Sequence, residues 1–306
     1  MEGVGVRPLA HAEDFSHVGW VSVLRSLPWL AWKAWSYFRA VEEFDPRGAV
    51  LVDAPGLHGP LARRLKRREV PVVWVAPPQL WAWKNRSAPV LDGMRVHPMH
   101  SFEMESLRRT HADARWLGFP GGPALEPAHV RDLLVLLPGS RPGWRELHKT
   151  LFREAVQQLD LPLRPVFVHP TPRQGLELGL ECMSPQEAFP RAALALSMPG
   201  TGALELARLG VPTLLAARPH RADAWFAQGR LDSGFKGLPN RILGAEVFPE
   251  RFSCDLTSAD LAVSLQDLWG RARETRELLA PLEDLLWARD AQRRIAQSVS
   301  EIVRGG

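Results

Sequence analysis

The chain is poor in cysteine. Its 306 residues hold two, Cys182 and Cys254, which excludes a disulfide framework, gives no metal-ligand spacing and fits a reducing, cytoplasmic setting. It has no run of eighteen uncharged apolar residues, so no membrane-spanning helix is expected. It has no basic start leading into an apolar stretch and a small-residue cleavage site, so no secretory signal is expected. It has no Asp-x-Asp pair to hold a divalent cation, and its ten histidines are scattered without a ligand set. The expectation is no metal and no cofactor. Lysine stands at five positions only (33, 66, 84, 149 and 236), so arginine supplies 33 of the 38 basic residues. The net charge of +4 suits an anionic surface. No nucleic-acid motif accompanies it, so no nucleic-acid partner is expected. Nothing in the pattern sets an oligomeric state.

What is present is globular. Hydrophobic residues make up 45% and charged residues 24%, enough for a sizeable core. Strands and helices alternate. Strands are expected at 48–52, 71–76, 114–117, 133–137, 166–169, 193–197 and 213–216, with helices at 57–68, 144–158, 202–209 and 259–269. This is an α/β pattern with parallel sheets covered on both faces. The Gly/Pro-rich stretch 118–127 is the best boundary. It divides the chain into a first domain at 1–122, a second at 123–275, and charged C-terminal helices at 276–306 that cross back to the first. No internal repeat or low-complexity tract is present.

Two strand–loop–helix junctions carry chemistry. Residues 199–205 read Pro-Gly-Thr-Gly-Ala-Leu-Glu after an apolar run. A helix opening with free N–H groups, here at Gly200, Thr201 and Gly202, is a site for a phosphate or diphosphate, and Glu205 one turn in could reach a ribose hydroxyl. Residues 133–141 repeat the logic, ending in Gly139-Ser140-Arg141. The planar Arg141 guanidinium suits a diphosphate and can stabilise a leaving group without a metal. Each loop also reads as an ordinary βα turn, because short glycine motifs are weak signals. Asn240 follows a Leu-Pro turn and reads either as a nucleotide or sugar contact or as an Asx turn. Asp53 ends a strand, where α/β sheets bind ligands. It reads either as a general base or as the cap of the next helix.

With these residues on the page, the chain resembles the lipid-A-disaccharide synthase family. Val52-Asp53-Ala54-Pro55 resembles that family's Ile-Asp-Ala-Pro strand end. Residues 75–84, including Pro78-Gln79-Leu80-Trp81-Ala82-Trp83-Lys84, resemble its Tyr-Val-Ser-Pro-x-x-Trp-Ala-Trp-Arg segment. Ser101-Phe102-Glu103 resembles Pro-Phe-Glu, and residues 136–141 resemble Leu-Leu-Pro-Gly-Ser-Arg. Leu204-Glu205, Leu238-Pro239-Asn240 and Val247-Phe248-Pro249-Glu250 stand at later family elements. The resemblance runs in order over residues 15–290. It implies a GT-B fold, two Rossmann-like domains facing a cleft. It implies an inverting transfer of 2,3-diacylglucosamine from its UDP derivative to 2,3-diacylglucosamine 1-phosphate, with release of UDP. Asp53 would be the catalytic residue. Ser140, Arg141, Gly200, Thr201, Gly202, Glu205 and Asn240 would hold the UDP-sugar donor. Gln79 and Trp81, with Trp29 and Trp32, would face the acceptor and lipid. The alternatives are another UDP-sugar enzyme, such as a UDP-GlcNAc 2-epimerase, and a non-catalytic nucleotide-sugar or lipid binder.

The departures are specific. The family's Asp-Phe-Asn after the aspartate is Gly56-Leu57-His58, its Gly-His-Pro is Gly118-Phe119-Pro120, and the serine before Gly-Thr is Pro199. Met1-Glu2-Gly3-Val4-Gly5 resembles a point after the family's Gly-Glu-Ala-Ser-Gly-Asp loop. The expectation is therefore that the first strand and loop of the acceptor domain are missing. Residues 19–39 hold Trp20, Trp29, Trp32, Trp35, Tyr37 and Phe38 among Arg25, Lys33 and Arg39. That stretch reads either as helices packed on the sheet, with a second helix starting at Pro28, or as a peripheral contact with an anionic membrane.

Overall fold

The structure is a computed structural model that describes residues 20–82, 88–122, 124–139, 142–169, 176–221, 224 and 234–305. It holds two sheets. The first takes β1 (Ala49–Val52), β2 (Val72–Val75), β3 (Arg95–His97) and β4 (Asp113–Ala114) in sequence order, all parallel. The second is built from β5 (Leu133–Leu137), β6 (Arg164–Val168), β7 (Leu176–Glu177), β8 (Leu180–Met183), β9 (Ala192–Ser197), β10 (Thr213–Ala217) and β11 (Glu250–Phe252). Its order is β11-β10-β9-β5-β6-β8-β7, parallel except for β7, which runs antiparallel on β8. Without β7 this is the doubly wound order 6-5-4-1-2-3, whose switch point lies between β5 and β9.

Burial follows from that order. All six residues of β9 are buried, as a parallel strand with helices on both faces requires. In the first sheet α1 (Trp20–Phe44) and α2 (Pro55–Arg67) cover one face, with Phe38, Leu61 and Leu65 packed on Leu51 and Trp74. The other face of edge strand β1 is open, with Val50 48% and Val52 58% exposed against 4% for Leu51.

Two expectations need correction. α1 runs unbroken through Pro28, so that proline does not begin a second helix. A proline removes one hydrogen bond from a helix interior, and a 25-residue helix anchored at Ala34, Phe38 and Val41 tolerates the loss. The strand expected at 114–117 is the two-residue β4, because Arg115 ends the pairing and the chain turns towards the second domain. β3, β7, β8 and β11 are too short to show a period.

The C-terminal region folds as α8 (Ser258–Gly270), α9 (Ala272–Leu279), α10 (Leu282–Leu286) and α11 (Ala291–Gly305), following α3 (Glu103–Leu107), α4 (Pro142–Val156), α5 (Pro185–Ala188), α6 (Thr201–Arg208) and α7 (Leu238–Leu243). The break after α10 falls at Trp287, with φ 45°. The linker docks there. Gly118 has φ 93°, and a Cβ on it would sit 2.2 Å from Trp287 O, so only glycine fits. Arg294 Nε donates to Leu117 O at 2.9 Å. Beyond it, Arg95 Nη1 on β3 donates to Ser298 O and pairs with Glu301 Oε2, each at 3.1 Å. The last helix thus lies against the first sheet.

Candidate active site

At the switch point the loops after β5 and β9 face each other across a cavity of about 230 Å³. Gly139, His169, Gly200, Thr201, Gly202 and Glu205 line it. Gly139 has φ 102°, and a Cβ there would meet Met198 Sδ at 2.9 Å. A Cβ on Gly202 would lie 3.2 Å from Leu137 Cδ1, so this glycine brings α6 close to β5. No side chain caps α6, and its first N–H groups are left for a ligand. Burial pushes the Glu205 carboxyl above its ordinary range, with nearby Arg208 opposing. His169 is one of the ten histidines whose scatter gives no ligand set in the sequence. Its signal was different: it directly follows β6, at the carboxyl end of a strand next to the switch point.

Asn240 requires a correction. It is fully buried. Its Nδ2 donates to Phe248 O at 2.7 Å and Glu250 Oε1 at 3.0 Å, while its Oδ1 accepts from Val247 N at 3.0 Å and Phe248 N at 2.8 Å. An amide side chain has two donor hydrogens and two acceptor lone pairs, and all four are used inside the protein. Asn240 holds the 235–250 loop and has nothing left to offer a nucleotide.

Asp53 sits at the carboxyl end of β1 with φ 50°, followed by Ala54 at φ 48°. Two successive left-handed non-glycine residues are rare. The turn is held through the backbone: Asp53 N donates to Val75 O at 3.0 Å, and Asp53 O accepts from His58 Nδ1 at 2.8 Å and Trp74 Nε1 at 3.3 Å. The residue is exposed. Ala54 is the N-cap of α2, which has no side-chain cap. The capping role considered from sequence is therefore absent, and no hydrogen bond or ion pair engages the Asp53 carboxylate among the described residues.

Loops from the same edge of the first sheet touch the second domain. Trp81 packs edge-on to Phe102 with ring centroids 5.3 Å apart, and Arg241 of α7 lies over Trp81 at 4.4 Å. His100 stacks between Phe102 and Phe119 at 5.4 and 5.5 Å. Burial lowers the His100 pKa to about 4. Glu103 Oε1 accepts from His100 N at 2.9 Å, and burial raises the Glu103 pKa to about 7, against those backbone donors. Sequence reasoning used Phe102 and Glu103 as motif letters only and did not single out Arg241. Gln79 is exposed beside this group and Trp32 is 61% exposed on α1. Ser140, Arg141 and the side chain of Trp29 lie outside the described residues.

Two Rossmann-like domains that meet across one cleft, with a glycine-lined cavity at the switch point of the second, are the GT-B architecture. Solved structures share the architecture: an Arabidopsis thaliana UGT89C1 complexed with quercetin (TM-score 0.61, 12% identity, 97% of this chain and 84% of that one), and a UDP-N-acetylglucosamine 2-epimerase from Listeria monocytogenes described as putative (TM-score 0.55, 11% identity, 95% and 82%). At such identities the likeness shows the fold alone. The profile of the lipid-A-disaccharide synthetase family matches residues 1–166. A lipid-A-disaccharide synthase of Solibacter usitatus is 28% identical over 335 residues, covering 100% of this chain and 88% of the relative. One from Anaeromyxobacter sp. strain K is 27% identical over 336 residues, covering 98% and 87%. The chain belongs to the lipid-A-disaccharide synthetase family.

Proposed function

We propose that the chain transfers 2,3-diacylglucosamine from its UDP derivative to 2,3-diacylglucosamine 1-phosphate, inverting the sugar and releasing UDP. The observation that carries this reading is the pairing of an uncapped α6 N-terminus, in a glycine-lined cavity, with the exposed Asp53 on the cleft edge of the opposite domain. The diphosphate binds at Gly200–Gly202 and at Ser140 and Arg141, which follow Gly139 in sequence. Backbone dipoles and a guanidinium meet its charge. Glu205 takes a ribose hydroxyl. Asp53 removes the proton of the acceptor hydroxyl as that oxygen bonds to the anomeric carbon. The bond from that carbon to the diphosphate breaks, and its electron pair leaves with UDP.

The protein acts in the cytoplasm, at the anionic inner face of the membrane. No helix among the described residues is long and apolar enough to cross a membrane. Trp32 and Trp35, exposed at 61% and 52% on α1, supply amphipathic rings suited to headgroup depth. Gln79 and Trp81 line the acceptor side. Release of UDP from UDP-2,3-diacylglucosamine, with and without acylated glucosamine 1-phosphate, tests the reading. Acceptor-dependent release supports it, and binding of UDP without turnover would replace it with a nucleotide-sugar-binding role.

A further inference from the structure

The first domain holds a second cavity, of about 990 Å³, along α2. Gly56, Gly59, Pro60, Arg63 and Arg67 line it, positions spaced along one side of a helix, and Trp74 of β2 joins them. The end at Pro55 and Gly56, which follow Asp53 and Ala54 in sequence, is open, since a Cβ on Gly56 or Gly59 would meet no atom within 4 Å. The other end is cationic. α2 carries Arg63, Arg64, Lys66 and Arg67 and no acidic residue.

Some of these cations are already engaged. Arg64 lies over the Phe38 ring at 4.7 Å and 3.7 Å from Glu42 Oε1. Lys66 Nζ donates to Asp92 O at 2.6 Å. Arg68, just past the helix, bonds Asp45 Oδ1 at 2.8 Å. Arg63 and Arg67 have no hydrogen bond or ion pair among the described residues. They stand one turn apart, a spacing at which like charges repel. An anion between them would relieve that repulsion, and paired guanidinium groups fit phosphate oxygens in a bidentate manner.

We propose that this groove seats the acceptor, a sugar bearing a phosphate monoester, with Arg63 and Arg67 on the phosphate and the reacting hydroxyl towards Asp53. Seven residues separate Gly56 from Arg63, about 10 Å of helix, and helical side chains lean towards the N-terminus. A phosphate held there lies about one sugar ring from the Asp53 end, over glycines that leave room for the ring. This rests on reading Asp53 as the acceptor-side base.

The test is calorimetry of the full chain with glucosamine 1-phosphate, glucosamine and inorganic phosphate, each with and without saturating UDP. Glucosamine 1-phosphate is expected to bind at least about tenfold tighter than glucosamine, the scale of one charge-assisted contact. Arg63→Gln with Arg67→Gln should erase the preference, and Arg63→Gln alone should reduce it, with UDP affinity and melting temperature unchanged. Arg108→Gln with Arg109→Gln, which removes equal charge from an exposed site elsewhere, should keep it. Absence of the preference in the parent chain, or its survival in the double variant, overturns the proposal. So does a double variant that loses only binding to phosphatidylglycerol vesicles, which would make the groove a lipid-headgroup contact. The arms without UDP separate this outcome from failure of the transferase reading, which shows as absent UDP binding.

Discussion

The guanidinium of Arg241, on the second domain, lies 4.4 Å from the ring centre of Trp81, on the first. It also reaches Phe102 at 5.9 Å, so one cation meets two rings across the cleft. Such a contact is worth about 0.5–2 kcal/mol, depending on desolvation. Arg241→Ala should therefore lower acceptor-dependent kcat/KM by about 2- to 30-fold while changing UDP affinity little. Arg241→Lys should recover part of the loss. Steady-state kinetics beside UDP calorimetry checks this. An equal fall in UDP affinity would mean that Arg241 serves the donor instead.

Asp53→Asn should cost about 10²–10⁴-fold in turnover, the usual range for a lost general base. Since α2 has no side-chain cap, the melting temperature should not move. A variant with near-normal turnover would remove Asp53 from the chemistry.

UDP should bind in EDTA. Arg141→Ala should weaken UDP by roughly 1.5–3 kcal/mol, the worth of a hydrogen bond to a charged group, and uridine by much less. Calorimetry with both ligands reads the difference. Binding that needs magnesium would contradict the expectation.

Anionic vesicles should capture the protein, and added salt should weaken capture. Trp32→Ala with Trp35→Ala should reduce it, because those rings are exposed. Co-sedimentation and the blue shift of tryptophan fluorescence provide the readout. Equal capture of parent and variant would place the contact elsewhere.

Glu103 gives a pH dependence of stability. Its pKa, ordinarily 4.5, is raised by burial to about 7. Below pH 4.5 the carboxyl is neutral in both folded and unfolded chains. Between 4.5 and 7 the unfolded chain ionises first, so stability falls as pH rises. Glu103→Gln should be near neutral at pH 4.5 and stabilising at pH 8, by at most about 3 kcal/mol. Buried His100, lowered to about 4, acts in the opposite direction up to its ordinary pKa and is present in both proteins, so the difference isolates Glu103. Denaturant melts at the two pH values decide it.

The second sheet was the more legible from sequence. Leu133–Leu137 and Ala192–Ser197 are long apolar runs, and a strand buried on both faces writes itself that way. The first sheet was harder, because β3 and β4 span three and two residues and carry no readable period. Glycine spacing located the switch-point cavity, since Gly139 and Gly202 are required by a local turn and a close approach. It misplaced Asn240, whose partners Phe248 and Glu250 lie eight and ten residues on. An asparagine filled by its own loop has the same letter as one facing a ligand. Arg63 and Arg67 were lost among 33 arginines, and only the neighbours' pairings single them out.

The contact of Arg95 with Ser298 spans 203 residues. Each sheet can form from its own stretch of chain, but α11 follows both sheets in sequence and lies against the first. Domains tend to fold in order of synthesis, and the most distant contacts close latest. The relative placement of the two sheets therefore rests on contacts that close after each sheet has formed. Damage confined to the last turns of α11 would remove the ties to Arg95 and leave Arg241 over Trp81 and Phe102 to hold the two domains together.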